Sequence, residues 1–415
     1  MSERLYSSPQ LTSLFSRLGV VSPAHATSNA LCIVASIANL TQIESAHGSE
    51  LASTMRHVVR ERARQVCAAD PGVVTMSGEH ILFIFDAPSP SEGELYAPRA
   101  TVLLDRILST LGDRPIEAAN GVAFPVISAI VAPWTDGPFD IVAVGACAAT
   151  HAQGGHAWRD RYLSDTKVAE MLFNALDEDR LGFEWEPICD ANSPGSIQYY
   201  EALLCEMDGG VVTRVGSMVP ACERLGLVRR LDQWVVESVV DTLRLNRNIR
   251  LGCNVSAQSA TVDAWWAFIV AALSEEPDIA SRLIIEISET VPLCDMDRAR
   301  DFVELLQSLG CRIALDDVGG DYCSLKALAN LGVDIAKIDA AYVRHARKDA
   351  AGAERLRQLV GLAKTCAASV VVEGVESDDD AEISRSSGAT LLQGYLFSKT
   401  TTYDMKPSSR RCLDG

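Results

Sequence analysis

Short apolar runs recur along the second half of the chain, at 183–189, 197–204, 249–255, 283–287, 312–318, 335–338, 370–375 and 391–397. Between most of them lie segments with apolar positions at helical spacing, at 218–225, 231–243, 262–273, 298–309, 325–331, 353–367 and 378–386. Strand and helix alternating in this way predict a parallel α/β fold, and eight strands over about 230 residues fit a (β/α)8 barrel. The first two runs are the exception. Only a polar turn containing Pro194 and Gly195 separates them. It is too short for a crossover helix, so those two strands are expected to be antiparallel neighbours.

Before a change of pattern near 164–168 the chain is less regular. An apolar run at 31–35 leads into a helical stretch at 42–66, two strands at 72–85 around a turn at Ser77 and Gly78, a helix at 100–111, and apolar runs at 122–132 and 141–149. This reads as a separate α+β domain.

Composition narrows the setting. The 415 residues are enough for two or three domains at roughly 150 residues each. The hydrophobic share of 48% and charged share of 22% are those of a packed globular chain. A formal net charge of -18 argues against a nucleic-acid polymer and against a polybasic membrane contact as partner. The twelve cysteines stand singly with no CxxC pair. They read as buried free thiols in a reducing compartment, the cytoplasm. The start of the chain lacks a continuous apolar leader, and the most apolar stretch, 121–134, is broken by Pro125 and Pro133. A cytoplasmic protein without a membrane span is expected.

Polar residues cluster where a barrel would place its C-terminal strand ends: Glu201, Asn254, Glu286 with Glu289, Asp316 with Asp317, Lys337 with Asp339, Glu373 with Glu376, and Gln393. In a barrel these ends converge on one mouth. Converging carboxylates repel one another unless a cation neutralises them. Oxygen donors without a His or Cys cluster suit a hard ion, Mg²⁺ or Mn²⁺, and not zinc. Two such ions are suited to in-line hydrolysis of a phosphodiester. Lys337, set in the apolar run Ile335-Ala336-Lys337-Ile338, would stabilise the attacking water or the charge developing on phosphorus.

The ordered series Tyr200-Glu201-Ala202-Leu203-Leu204, Asn254-Val255-Ser256, Glu286-Ile287-Ser288-Glu289, Asp316-Asp317-Val318-Gly319, Lys337-Ile338-Asp339, Val372-Glu373-Gly374-Val375-Glu376 and Gln393-Gly394-Tyr395-Leu396-Phe397-Ser398-Lys399 resembles the motifs of EAL domains, over about 168–400. These are bacterial cyclic di-GMP phosphodiesterases, which linearise the dinucleotide to pGpG in second-messenger signalling. The resemblance implies a modified TIM-like barrel with one antiparallel strand. It implies metal ligands at Glu201, Asn254, Glu286, Asp316, Glu373 and, shared between two ions, Asp317. Lys337 and Glu373 would complete the catalytic centre, and Glu289 would anchor the loop after Asp317. Substrate contacts would fall at Glu186, Leu204, Cys205, Asp339, Glu376 and Gln393, the last holding a water or ligand. A homodimer through the barrel is also implied, in a region where Gly320 and Asp321 alter the family's loop.

Three departures bear on substrate capture. Cys205 stands where the family carries a phosphate-gripping arginine, Glu186 stands where it carries glutamine, and Asp321 replaces a glycine in the loop after Asp317 and Val318. One positive charge is lost and two negative ones are gained near a site for a dianion. A lost charge-assisted phosphate contact costs about 1.5–3 kcal/mol, or roughly ten- to a hundredfold in affinity. A weak enzyme, or a cyclic di-GMP receptor or interaction module, is therefore the alternative to an active phosphodiesterase.

The first region resembles a degenerate GGDEF domain, the diguanylate cyclase module. Ser77-Gly78-Glu79-His80-Ile81 stands at the signature hairpin, 43–48 is similar to a nucleotide-contacting segment, and Ser36 replaces a metal-binding aspartate. With Ser36 and His80 in place of acids, cyclisation chemistry would lack its ligands. The expected organisation is a regulatory GGDEF-like α+β domain at 1–165, an EAL barrel at 166–405 and a tail at 406–415.

Overall fold

A computed structural model of the chain describes residues 30–86, 96–132, 156–288, 295–320 and 324–398. It divides into two compact units. The first comprises Met1–Phe173 with Ala221–Leu227 and Val262–Glu275, and the second comprises Asn174–Pro220, Val228–Thr261 and Glu276–Gly415.

In the first unit, four strands form an antiparallel sheet in the order β2-β3-β1-β6: β1 (Ala30–Ile37), β2 (Gly72–Ser77), β3 (His80–Asp86) and β6 (Ile127–Ala132). A small hairpin pairs β4 (Ile116–Ala118) with β5 (Gly121–Ala123). Helices α1 (Leu40–His47), α2 (Ser49–Ala69) and α3 (Tyr96–Gly112) supply the apolar positions Ile43, Met55, Val59, Leu104 and Ile107, all buried. The single helix expected at 42–66 is two helices, because Gly48 adopts φ 91 between them. The hairpin turn falls at Ser77 and Gly78 as expected, with φ 62 at Gly78. The apolar run at 141–149 lies outside the described residues. Helix α4 (His156–Asp177) spans the boundary of the two units.

The second unit is a closed barrel of eight strands. In barrel order they are β10 (Leu251–Ser256), β11 (Leu283–Ser288), β12 (Arg312–Val318), β13 (Ile335–Ile338), β14 (Ser369–Val372), β15 (Leu391–Gln393), β7 (Leu181–Asp190) and β8 (Ile197–Asp208), with β8 pairing back onto β10. All neighbours are parallel except at β7, which runs antiparallel to β15 and to β8. The short polar turn at 191–196 has this outcome. A further strand, β9 (Val211–Arg214), pairs with the end of β8 as a hairpin. It was not expected from the apolar pattern, because only Val211 and Val212 of its four residues are apolar, too short a run to stand out, and all four are exposed. The run at 391–397 is not one strand. It turns at Gly394 (φ 147), where a Cβ would lie 2.4 Å from the Val375 carbonyl oxygen, and continues as a helical turn.

The remaining helices are α5 (Val219–Leu225), α6 (Val228–Leu245), α7 (Ala264–Glu275), α8 (Pro277–Ala280), α9 (Met296–Ser308), α10 (Ser324–Leu331), α11 (Ala341–Ala346), α12 (Ala350–Cys366), α13 (Asp378–Ser386) and α14 (Tyr395–Ser398). None among the described residues is long and apolar enough to cross a membrane. Among the described cysteines all eight are free, and Cys32, Cys189, Cys205, Cys222, Cys253 and Cys311 are buried.

The barrel interior is layered. Ile188, Tyr199, Ile284, Ala314, Ile335, Val371 and Leu391 form one apolar layer with a residue from each of seven strands. The eighth strand contributes Gly252, whose missing side chain leaves room for Tyr199 and Glu286: a Cβ there would lie 2.9 Å from the tyrosine ring and 2.3 Å from Glu286 Oε1. Each large apolar member contributes about 1.5–3 kcal/mol by leaving water. Strand side chains repeat every second residue, so the layer above this floor is dictated. It holds Glu201, Asn254, Glu286, Asp316, Lys337, Glu373, Gln393 and, on the reversed strand, Glu186.

Candidate active site

The centre of this layer is one ammonium. Lys337 Nζ lies 2.7 Å from Glu286 Oε2, 2.9 Å from Glu201 Oε2, 2.9 Å from Glu373 Oε1 and 3.1 Å from Asp316 Oδ1. Its side chain is 1% exposed. Burial disfavours the charged lysine, but the charges of Asp316, Glu201, Glu286 and Glu373 outweigh this and hold it protonated well above the ordinary lysine range.

The carboxylates respond according to their partners. Glu201 is also buried, yet Lys337 and the amides of Gln393 and Asn254 hold its pKa below the usual value. Asn254 Nδ2 donates to its Oε1 at 2.5 Å and Gln393 Nε2 to its Oε2 at 2.6 Å. Glu286 has no such amides. Burial and the charge of Glu201 push it up to about 8, and its Oε1 is buried without a hydrogen-bond partner. Burial likewise raises Glu373 well above the usual range. Asp317 is raised to about 6 by burial and by the charges of Asp316 and Asp339.

Asp316 and Asp317 are neighbours in sequence, and a regular strand would send them to opposite faces. Here Asp317 takes φ 53 and the pairing of β12 with β13 shifts register between Leu315 and Val318. Two groups of acids with ligand atoms inside 4.8 Å of one another result, Glu201 with Glu286 and Asp316, and Asp316 with Asp317 and Glu373. The two share Asp316, whereas the motif resemblance had assigned the shared role to Asp317. One ammonium does not balance five acids this close together, and burial and mutual repulsion accordingly raise Glu286, Glu373 and Asp317. Unpartnered buried oxygens on Glu286 and Gln393, together with an all-oxygen donor set, are what a hard divalent cation would satisfy.

Supporting residues fix this layer in place. Asp232 on α6 accepts from Ser256 N at 3.1 Å and Ser259 Oγ at 2.6 Å, holding the loop that follows Asn254. Arg347 joins the Gly374 carbonyl, Glu376 and Asp380, and so ties the loop after Glu373 to the capped start of α13. Neither was expected from motif spacing. No signal in the sequence distinguishes Asp232, since the amphipathic helix that carries it also holds Glu237 and Asp241.

The other expected residues fall in varied places. Gln393 bonds Glu201 and so orients a carboxylate of the acidic centre. Asp339 Oδ1 accepts from Ala341 N at 2.5 Å, at the start of α11, beside Asp317. Glu376 is engaged by Arg347 at 3.2 Å. Leu204 alternates to the face of β8 opposite Glu201 and does not join the site. Cys205 lies on the Glu201 face, fully buried, its thiol 3.3 Å from the Leu203 carbonyl oxygen. Glu186 is paired with Glu201 across β7 and β8 and receives Arg214 Nη2 at 3.3 Å. Glu289 and Asp321 lie outside the described residues.

In the first unit, Ser36 and His80 face each other across β1 and β3, with Ser36 Oγ 2.7 Å from His80 Nδ1, both buried. Ser77, Gly78 and Glu79 are exposed at the hairpin, and Ile81 is core.

The EAL domain family profile matches residues 169–400. PdeF of Escherichia coli K12, a cyclic di-GMP phosphodiesterase, is 29% identical over 252 residues, 59% of this chain and 33% of PdeF. MucR of Pseudomonas aeruginosa, a bifunctional diguanylate cyclase/cyclic di-GMP phosphodiesterase, is 23% identical over 379 residues, 86% of this chain and 53% of MucR. The S helix-GGDEF-EAL structure of Vibrio cholerae LapD shares the fold, with a TM-score of 0.51 at 14% identity, covering 94% of this chain and 92% of that one. The chain spans from a third to a little over half the length of the curated relatives it matches.

Proposed function

The chain belongs to the EAL domain family, and from that premise we propose that it is a divalent-metal-dependent phosphodiesterase hydrolysing cyclic di-GMP to linear pGpG. The observation that carries this reading is the convergence of Glu201, Glu286, Asp316 and Glu373 on Lys337, with Asp317 added by the register shift in β12. Such a concentration of buried acid is unfavourable by itself, and perturbed clusters of this kind mark functional sites.

Glu201, Asn254, Glu286, Asp316, Asp317 and Glu373 would hold two Mg²⁺ or Mn²⁺ ions. Bound there, the ions supply Lewis-acid activation of the phosphodiester and of water. In the reaction a new bond forms between the water oxygen and phosphorus, the bond from phosphorus to the ribose O3′ breaks, and O3′ leaves with a proton. The phosphate stays on the 5′ side, as pGpG requires. Lys337 is enclosed by acids, so its role here is to keep four carboxylates in one geometry. Gln393 and Asn254 orient Glu201 for the same purpose.

The N-terminal unit is read as a regulatory, non-catalytic GGDEF-like domain over 1–165, the barrel as 166–405. The mutual hydrogen bond of Ser36 and His80 supports this, since neither side chain supplies the carboxylate oxygen that a hard cation takes. Free buried thiols support a cytoplasmic setting. The test is incubation of purified protein with cyclic di-GMP and Mn²⁺, following pGpG by chromatography against Glu201→Ala. Product in the wild type alone is expected. Tight binding without product would select a receptor instead.

A further inference from the structure

Cys205 leaves the mouth of the barrel without a cation on β8, but the neighbouring strand supplies one. Residues 201, 203 and 205 share a face of β8. Their partners across the sheet are Glu186, Glu184 and, on β9, Arg214. Arg214 therefore stands on the same face as Glu201, directly opposite Cys205. Its Nε donates to Glu184 Oε2 at 2.6 Å and its Nη2 to Glu186 Oε2 at 3.3 Å. The small cysteine leaves the guanidinium room to lie over this face, and the Arg214 side chain remains 41% exposed. Glu186 in turn is close enough to Glu201 and Lys337 to feel both charges, which puts Arg214 at the rim of the acidic centre. Tyr395, 61% exposed, lies within electrostatic reach of the same guanidinium.

A half-exposed guanidinium that already bonds two carboxylates is suited to exchange them for a phosphate held through two parallel hydrogen bonds. A cyclic dinucleotide has two phosphates. If one is at the acidic centre with its cations, the other needs a positive partner elsewhere. We propose that Arg214, presented from β9 across Cys205, is the clamp for that second phosphate, held by Glu184 and Glu186 until the phosphate displaces them. This rests on the phosphodiester reading given above. It also revises the charge balance expected from sequence, since the acid at Glu186 comes with its own cation.

The test is the KM and kcat of pGpG formation with Mn²⁺, together with cyclic di-GMP affinity of the metal-free protein by calorimetry. Arg214→Gln is expected to raise KM and Kd by about tenfold or more, with kcat within about threefold, as for loss of one charge-assisted contact. Arg214→Lys should fall between Gln and wild type. Glu184→Gln should lower KM, because it removes a competitor for the guanidinium; a merely structural ion pair predicts no gain. KM and Kd unchanged in Arg214→Gln, or a fall in kcat alone, would overturn the clamp while leaving the phosphodiesterase reading intact. A wild-type protein that neither binds nor hydrolyses cyclic di-GMP would take down both.

Discussion

Asp316 and Asp317 point into the same acidic centre although they are consecutive residues of a strand. The left-handed backbone at Asp317, φ 53, and the register shift beside it accomplish this. Asp is one of the few non-glycine residues that tolerates this conformation. The pair thus combines a backbone requirement with a chemical one at a single position.

Separating the two requirements is straightforward. Asp317→Gly keeps the conformation and removes the carboxylate, so stability should be unchanged or higher, while kcat/KM falls by about a hundredfold or more. Asp317→Val should in addition destabilise by about 1–2 kcal/mol in denaturant titration. Activity of Asp317→Gly within threefold of wild type would exclude a chemical role for this carboxylate.

Gly252 is the gap in the barrel floor that Glu286 and Tyr199 fill. Gly252→Ala should displace Glu286, lowering activity at least about tenfold and stability by about 1–3 kcal/mol. Normal turnover at normal thermal stability would mean that Glu286 is not held there.

Metal should substitute for missing positive charge. In metal-free buffer Lys337→Met is expected to lose about 3–5 kcal/mol, since it strands buried carboxylates. Mn²⁺ at about a hundred times its Kd should stabilise the wild type by about 2.7 kcal/mol and recover much of the variant's loss. Melting temperatures indifferent to Mn²⁺ and Mg²⁺ would count against a cation at this centre.

A pH-dependent element lies beside the site. Burial alone would raise Asp380, but hydrogen bonds from Arg347 and from the backbone and side chain around Glu376 and Ser377 hold it below its ordinary 3.8. A depressed folded-state value gives stability that is fully present above 3.8 and is lost as pH falls through that lower value. Asp380→Asn should therefore be less stable than wild type by about 1.5–3 kcal/mol at pH 7, the gap closing below pH 3.8. A gap independent of pH would show that the charge of Asp380 does not matter.

Much of the barrel was legible in sequence because burial on both faces gives parallel strands continuous apolar runs. The antiparallel β7 was legible for a different reason, the brevity of the turn before β8. Strand β9 was not, since its apolar run is only Val211-Val212, too short to mark a strand. Arg347, Asp232 and Arg214 were missed together because their partners are far away in sequence. Asp380 lies 33 positions beyond Arg347, and Glu186 lies 28 positions before Arg214.

By itself, the sequence determined which acids end the strands, that they alternate with an apolar floor, and that their donors suit a hard cation. These follow from local periodicity and side-chain chemistry. Only the tertiary structure decided that Lys337 is enclosed by four carboxylates, that Asp316 joins both acidic groups, and that Arg214 meets Glu186 across Cys205. Those relations depend on barrel closure, on a register shift and on pairing between strands. Such pairings are set by the packing of the whole barrel, and no local pattern encodes them.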